Sequence, residues 1–148
     1  MIKLRSGAFV NYKGLQCKLI SSNPFKISSL DKRCLELGFE QYPNKQVYFK
    51  YIERNEVLSA FHLITKAKYQ GDVYQLTENR VVSNEDKVTL FLDNLDFAAY
   101  DKFGFNYRDD NANISVKVSL LEEIWEEREP LLNFSFEVDQ IQYLKKSN

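Results

Sequence analysis

One histidine, two cysteines and the adjacent carboxylates at 109–110, 122–123 and 126–127 are the first candidates for chemistry in this 148-residue chain. His62 is the only imidazole, so a histidine-rich metal site is ruled out and a single candidate general base remains. A nucleophile and an orienting group would have to converge on such a base, and neither Cys17 nor Cys34 is flanked by anything that suggests an activated thiol. Cys17 and Cys34 are too far apart for a CxxC redox pair and too few for a thiolate metal site, and they read as small packed thiols. Asp109-Asp110, Glu122-Glu123 and Glu126-Glu127 could gather a divalent cation only if neighbouring carboxylates shared a face. Successive side chains of a strand point to opposite faces, so these acids read instead as a solvated rim. The five glycines are solitary and none precedes Lys-Ser/Thr, which argues against a phosphate-binding loop. The expectation is a protein without catalytic residues, bound metal or cofactor.

The elements that would position these residues follow from an internal repeat. Tyr12-Lys13-Gly14 aligns with Tyr69-Gln70-Gly71, Leu37-Gly38-Phe39 with Phe103-Gly104-Phe105, and Val47 to Tyr51 with Ile114 to Val118. Each copy closes on a similar tetrad, beginning at Glu56 and at Glu123, which sets Trp125 against Leu58 as an apolar position. Four of five glycines fall in paired positions and in the same order. The second copy is longer at 79–86, a polar stretch expected to be a loop.

Glycine between two β-type runs predicts hairpins at 8–12 with 15–20 and at 65–69 with 73–77. A third strand is expected at 25–28 and at 88–92. Leu30, Cys34 and Leu37, and likewise Phe97, Tyr100 and Phe103, have the spacing of one helical face. Gly38 and Gly104 would cap these helices at the C-terminus, and Ser29 and Asp96 at the N-terminus. Period two returns at 47–52 and 114–120. Segment 120–127 carries a helix-type capping pattern, yet its counterpart reads as a long β stretch, which favours one turn followed by strand. The fold expected is mainly β: two tandem small SH3-like barrel modules, 1–60 and 61–129, each with one short helix, and a tail at 130–148 packed on them.

Eleven Phe, nine Tyr and one Trp give the chain ample core-forming and strand-forming side chains. No stretch approaches the roughly twenty apolar residues that span a bilayer, and the N-terminus lacks the apolar centre of a secretory signal. A cytoplasmic protein is expected, in which the sequons at Asn113 and Asn133 would go unmodified.

In the Tyr12-Lys13-Gly14 hairpin, the Gly38-Phe39 pair and the run Glu122-Glu-Ile-Trp-Glu-Glu-Arg-Glu-Pro130, the chain resembles small tandem-repeat proteins of Bacillus-like bacteria. Some of these are associated with immunity to polymorphic toxins. The resemblance implies a stoichiometric protein binder with no chemistry of its own.

Charge sharpens this expectation. Residues 1–60 hold ten basic against five acidic side chains, and residues 61–127 seven against thirteen. An interaction protein that sequesters a basic toxin or nuclease would bind through Asp109, Asp110, Glu122, Glu123, Glu126 and Glu127, with Trp125 as anchor. The alternative is a nucleic-acid-binding protein using the first module, where Lys13, Lys18, Lys45, Lys50 and Arg54 interleave with Tyr12, Tyr42, Tyr48 and Tyr51.

Overall fold

The computed structural model describes residues 1–131 and 133–147. The chain is mainly β, opening on a short strand, β1 (Ile2–Leu4), and it divides into two compact units. The first comprises Gly7–Leu63 and Arg128–Asp139. The second comprises Met1–Ser6, Ile64–Glu127 and the segment from Gln140 on.

In the first unit, β2 (Gly7–Tyr12) and β3 (Leu15–Ser22) form a hairpin around Lys13-Gly14. Both turn residues have positive φ, at 47° and 85°, the backbone a type I′ turn requires to match strand twist. β4 (Phe25–Ser29) pairs with β3, β6 (Tyr48–Tyr51) with β4, and the two-residue β5 (Glu40–Gln41) with β6. β7 (Ser59–Tyr69) pairs its first residues with β2, setting Phe61 opposite Phe9. Tyr12, Cys17, Ile27, Cys34 and Tyr48 fill the core. Both faces of β2 are covered: Val10 and Tyr12 point into this core, while Phe9 packs with Phe61 and Leu63 in a second cluster.

The rest of β7 begins the second unit and turns at Gln70-Gly71, with φ of 51° and 85°, into β8 (Asp72–Leu76). There follow β9 (Arg80–Val82), β10 (Lys87–Phe91), the helix α1 (Phe97–Phe103), β11 (Asn113–Lys117), β12 (Glu123–Pro130) and β13 (Ile141–Lys145). The pairing order is β11-β10-β8-β7, β12 pairs with both β7 and β13, and β1 pairs with β9. Leu76, Leu90, Tyr100, Val118, Leu121 and Ile124 form the core of this unit.

Several expected elements stand where the sequence places them. Asp96 Oδ1 accepts the Ala99 N–H and caps α1, and Gly104 ends it in the left-handed conformation. Gly38 does the same for a 3-10 turn at Lys32–Leu37. A 3-10 turn at Val118–Leu120 precedes β12, so the 120–127 segment is largely strand.

Four expectations need correction. The cap of the first helical turn is Asp31, which receives the Arg33 N–H, while Ser29 Oγ accepts from Asp31 N one step earlier; Leu30 is therefore outside the helix and exposed. The 79–86 stretch contains β9, because Ile2–Leu4 lies alongside it as a partner strand. Among the described residues no pairing joins the last strand of either order to the first, so neither unit is a closed barrel. In the first unit the tail takes up the groups of β7 that closure would use: Ala60 N–H donates to Ser135 O, and Leu131 N–H to Ala60 O. Finally, the charge contrast between 1–60 and 61–127 largely disappears in the folded units, which hold nine basic against eight acidic residues and eleven against thirteen.

No helix among the described residues is long and apolar enough to cross a membrane.

Candidate functional site

His62 lies exposed on β7 opposite Ala8, and the described residues contain no cluster of three or more His, Cys, Asp or Glu able to hold a metal ion. Cys17 and Cys34 are free and buried. Burial, reinforced by the neighbouring Cys34 and Asp31, pushes the Cys17 thiol up to about 12, so it stays protonated and unreactive at neutral pH.

The acids of β12 are spent mostly on the second unit itself. A register shift between Ile124 and Trp125 breaks strict alternation, and Ile124, Trp125 and Glu126 are all buried. Glu126 makes a bidentate pair with Arg5, at 2.8 and 3.1 Å. Glu127 meets Lys66 Nζ at 2.9 Å and accepts the Trp125 indole N–H. Burial alone would raise the Glu127 carboxyl, but the Lys66 and Trp125 hydrogen bonds outweigh it and hold the group below its ordinary range. Glu122 receives the Gly71 N–H at the β7–β8 turn, and Glu123 the Ser147 hydroxyl. Trp125 is only 9% exposed, and its ring lies 6.0 Å from that of Tyr143. Of the seven residues expected to face a partner, the five on this segment thus have internal partners, and Asp109 and Asp110 stand apart on the loop before β11.

That loop belongs to a different surface. Asp93 Oδ1 receives the Leu95 N–H, which turns the chain into α1 and leaves Leu95 80% exposed. Asp96 then caps the helix, placing Phe97 at its first position, 51% exposed, while Ala99 and Tyr100 turn into the core. Tyr107 stands 53% exposed with its ring 5.0 Å from Phe97. Its hydroxyl donates to Asp101 Oδ1 at 2.5 Å, and that bond, with burial, raises the phenol above its usual range. Tyr100 Oη beneath donates to the Asp109 carbonyl and so fixes the loop to the helix, while Asp109 Oδ2 receives the Asn106 N–H. Leu95, Phe97 and Tyr107 are exposed apolar residues of these turns, which also carry Asp93, Asp101, Asp109 and Asp110 against Lys102 and Arg108 and so form an apolar corner with a net acidic rim.

The sequence sets Phe97 on one helical face with Tyr100 and Phe103, but as the first residue after the Asp96 cap it lies at the helix end, one turn above Tyr100, and is exposed.

Beside the corner is a cleft of about 240 Å³ lined by Lys66, Tyr74, Gln75, Phe91, Asp93 and Asp96 among others. In the first unit, Lys26 Nζ lies 4.9 to 5.4 Å from the ring centres of Tyr42, Phe49 and Tyr51. Tyr12 and Tyr48, by contrast, are core residues, and Lys50 is tied to Tyr12 Oη and Leu37 O at 2.7 Å each.

A family model described as Uncharacterised conserved protein UCP033725 matches residues 4–126. The chain belongs to this family. The region shared with the family runs from the end of β1 into β12, and includes both members of the Arg5–Glu126 pair, the α1 corner and the cleft. No curated protein and no solved structure matches the chain.

Proposed function

We propose that the chain is a non-enzymatic protein-binding module, and that it acts as an immunity protein neutralising a cognate toxic enzyme in the cytoplasm of the cell that makes both. The observation that carries this reading is the α1 corner. Two exposed aromatic rings in contact, a leucine at 80% exposure and four nearby carboxylates combine the apolar anchor and charged rim typical of binding hot spots. Carboxylates around an apolar centre favour a partner that is basic where it docks. The interface so proposed keeps Asp109 and Asp110 and replaces the β12 acids with Leu95, Phe97, Tyr107, Asp93 and Asp101.

The fold reading that accompanies it is two related modules in tandem, of SH3-like descent. In its support, the turns at Lys13-Gly14 and Gln70-Gly71 have matching φ values, Gly38 and Gly104 are both left-handed caps, and Asn44 and Asn111 both sit at φ 58° shortly before β6 and β11.

The test is to recover the tagged protein from its native cell, identify a partner held at fixed stoichiometry, and compare Phe97→Ala/Tyr107→Ala with Glu123→Lys/Glu127→Lys. Loss of the partner in the first pair alone supports the corner. A second reading, single-stranded nucleic acid binding, is favoured by the exposed Tyr51 and the Lys26–Tyr42–Phe49 cluster, where rings could stack on bases beside a cation. Nucleic acid recovered in place of protein, and lost in Tyr51→Ala, would select it.

A further inference from the structure

We infer that the free edge of β13 pairs with the same strand of a second copy of the chain, giving a symmetric dimer. Edge strands offer unpaired backbone groups to another chain, and proteins blunt them by shortness or by polar and charged side chains. Among the described residues the larger sheet ends at β5, β11 and β13. β5 has two residues, and β11 exposes Asn113, Ser115 and Lys117. β13 is different. It pairs on one side only, with β12, and exposes Ile141 at 49% and Tyr143 at 45% on one face.

The run Asp139-Gln-Ile-Gln-Tyr-Leu-Lys145 points to its own copy as the occupant, because it is complementary to itself when antiparallel. A two-fold axis through Gln142 sets Ile141 opposite Tyr143 of the second copy and Tyr143 opposite Ile141, the reciprocal contacts of an isologous interface. The same axis sets Asp139 at Lys145 of the second copy, twice over, whereas in-register parallel strands would place like charges side by side. Asp139 receives Arg128 through its backbone carbonyl, and among the described residues its carboxylate has no internal partner. Lys145 Nζ spends one of its three N–H groups on the Val118 carbonyl at 3.3 Å, and Lys146 lies over the Tyr143 ring at 5.1 Å. Both cations therefore stand at the end of the strand where the acid of the second copy arrives. On the exposed face, the Trp125–Tyr143 contact runs on to Ile141 of the second copy, which covers both apolar side chains. A five-residue ladder is smaller than a standard interface of roughly 1,600 Å², so the dimer is weak, with a dissociation constant on the order of 100 µM.

The experiment is sedimentation velocity of the full chain from about 10 µM to about 1 mM, with circular dichroism to confirm folding. The expected result is a concentration-dependent rise from 17.4 kDa towards twice that mass. Asp139→Lys sets lysine against Lys145 of the second copy, and Lys145→Glu/Lys146→Glu sets glutamate against Asp139. Each variant alone should raise the dissociation constant at least about tenfold, since two charge pairs reverse by symmetry. An equimolar mixture of the two restores opposite charges at both ends and should associate about as well as wild type. Wild type that stays at 17.4 kDa up to about 1 mM overturns the inference, as does a folded pair of variants that fails to associate when mixed. Asp139→Lys removes no internal side-chain contact, so it should fold, and a dimer unchanged by it alone also overturns the inference.

Discussion

Trp125→Ala separates a structural role for the β12 segment from a role in binding. Trp125 is the only tryptophan, is 9% exposed, packs against Tyr143 and donates its indole N–H to Glu127 at 3.2 Å. Truncating a buried ring of this size costs about 3–5 kcal/mol in lost transfer energy and residual cavity. For a chain of this length each kcal/mol lowers the melting temperature by about 2–4 °C, so a drop of roughly 6–20 °C is expected, out of a total stability of about 5–15 kcal/mol. Far-UV circular dichroism with urea titration is the assay, because the variant has lost its fluorophore and the two compact units need not unfold together. In the wild type, emission from the single indole should be blue-shifted and protected from acrylamide until the second unit unfolds. Phe97→Ala, at 51% exposure, should cost under about 1 kcal/mol. A Trp125→Ala variant destabilised by less than about 1 kcal/mol, or a wild-type indole quenched as readily as free tryptophan, would refute its placement in the interior.

Gly14→Ala and Gly71→Ala each force an alanine to φ 85° in an uncrowded turn, and both should lose about 1–2 kcal/mol, nearly equally, as measured by urea denaturation of the single variants. Glu127 is held below its ordinary range in the fold, and so is Asp86, chiefly by the Ser83 backbone N–H. Their stabilisation is therefore complete above the ordinary carboxylate range and is lost as pH falls through and below it; Glu127→Gln should flatten that acid limb of the stability profile. The Glu123→Lys/Glu127→Lys pair should perturb stability through the Lys66 contact while leaving partner association rates little changed, a result surface plasmon resonance at low salt will show.

Local features were the legible part of the fold. Glycines between β-type runs located both hairpins, and Asp96 with Gly104 bounded α1, because turn and cap chemistry is written within four or five residues. The alternation of Phe134, Phe136 and Val138 likewise marked a tail with one packed side, and all three lie half-buried against first-unit clusters. Long-range pairings were not legible. β1 finds β9 more than seventy residues away, and Arg5 finds Glu126 across the length of the matched family region, so neither local pattern nor composition could show that Glu126 is interior. The bulge at Ile124/Trp125 defeated the period-two reading where the acids seemed to form a rim. Counting charge by halves of the sequence failed for the same reason, since the units take up segments from both ends of the chain.

The binding role of the α1 corner is tested most directly by measuring the affinity of the purified partner for wild type and for Phe97→Ala/Tyr107→Ala, with circular dichroism confirming that both are folded. Loss of two hot-spot rings should weaken binding by at least 2 kcal/mol, about thirtyfold, mainly through faster dissociation. Unchanged affinity in a folded double variant would contradict the assignment of the corner as the interface.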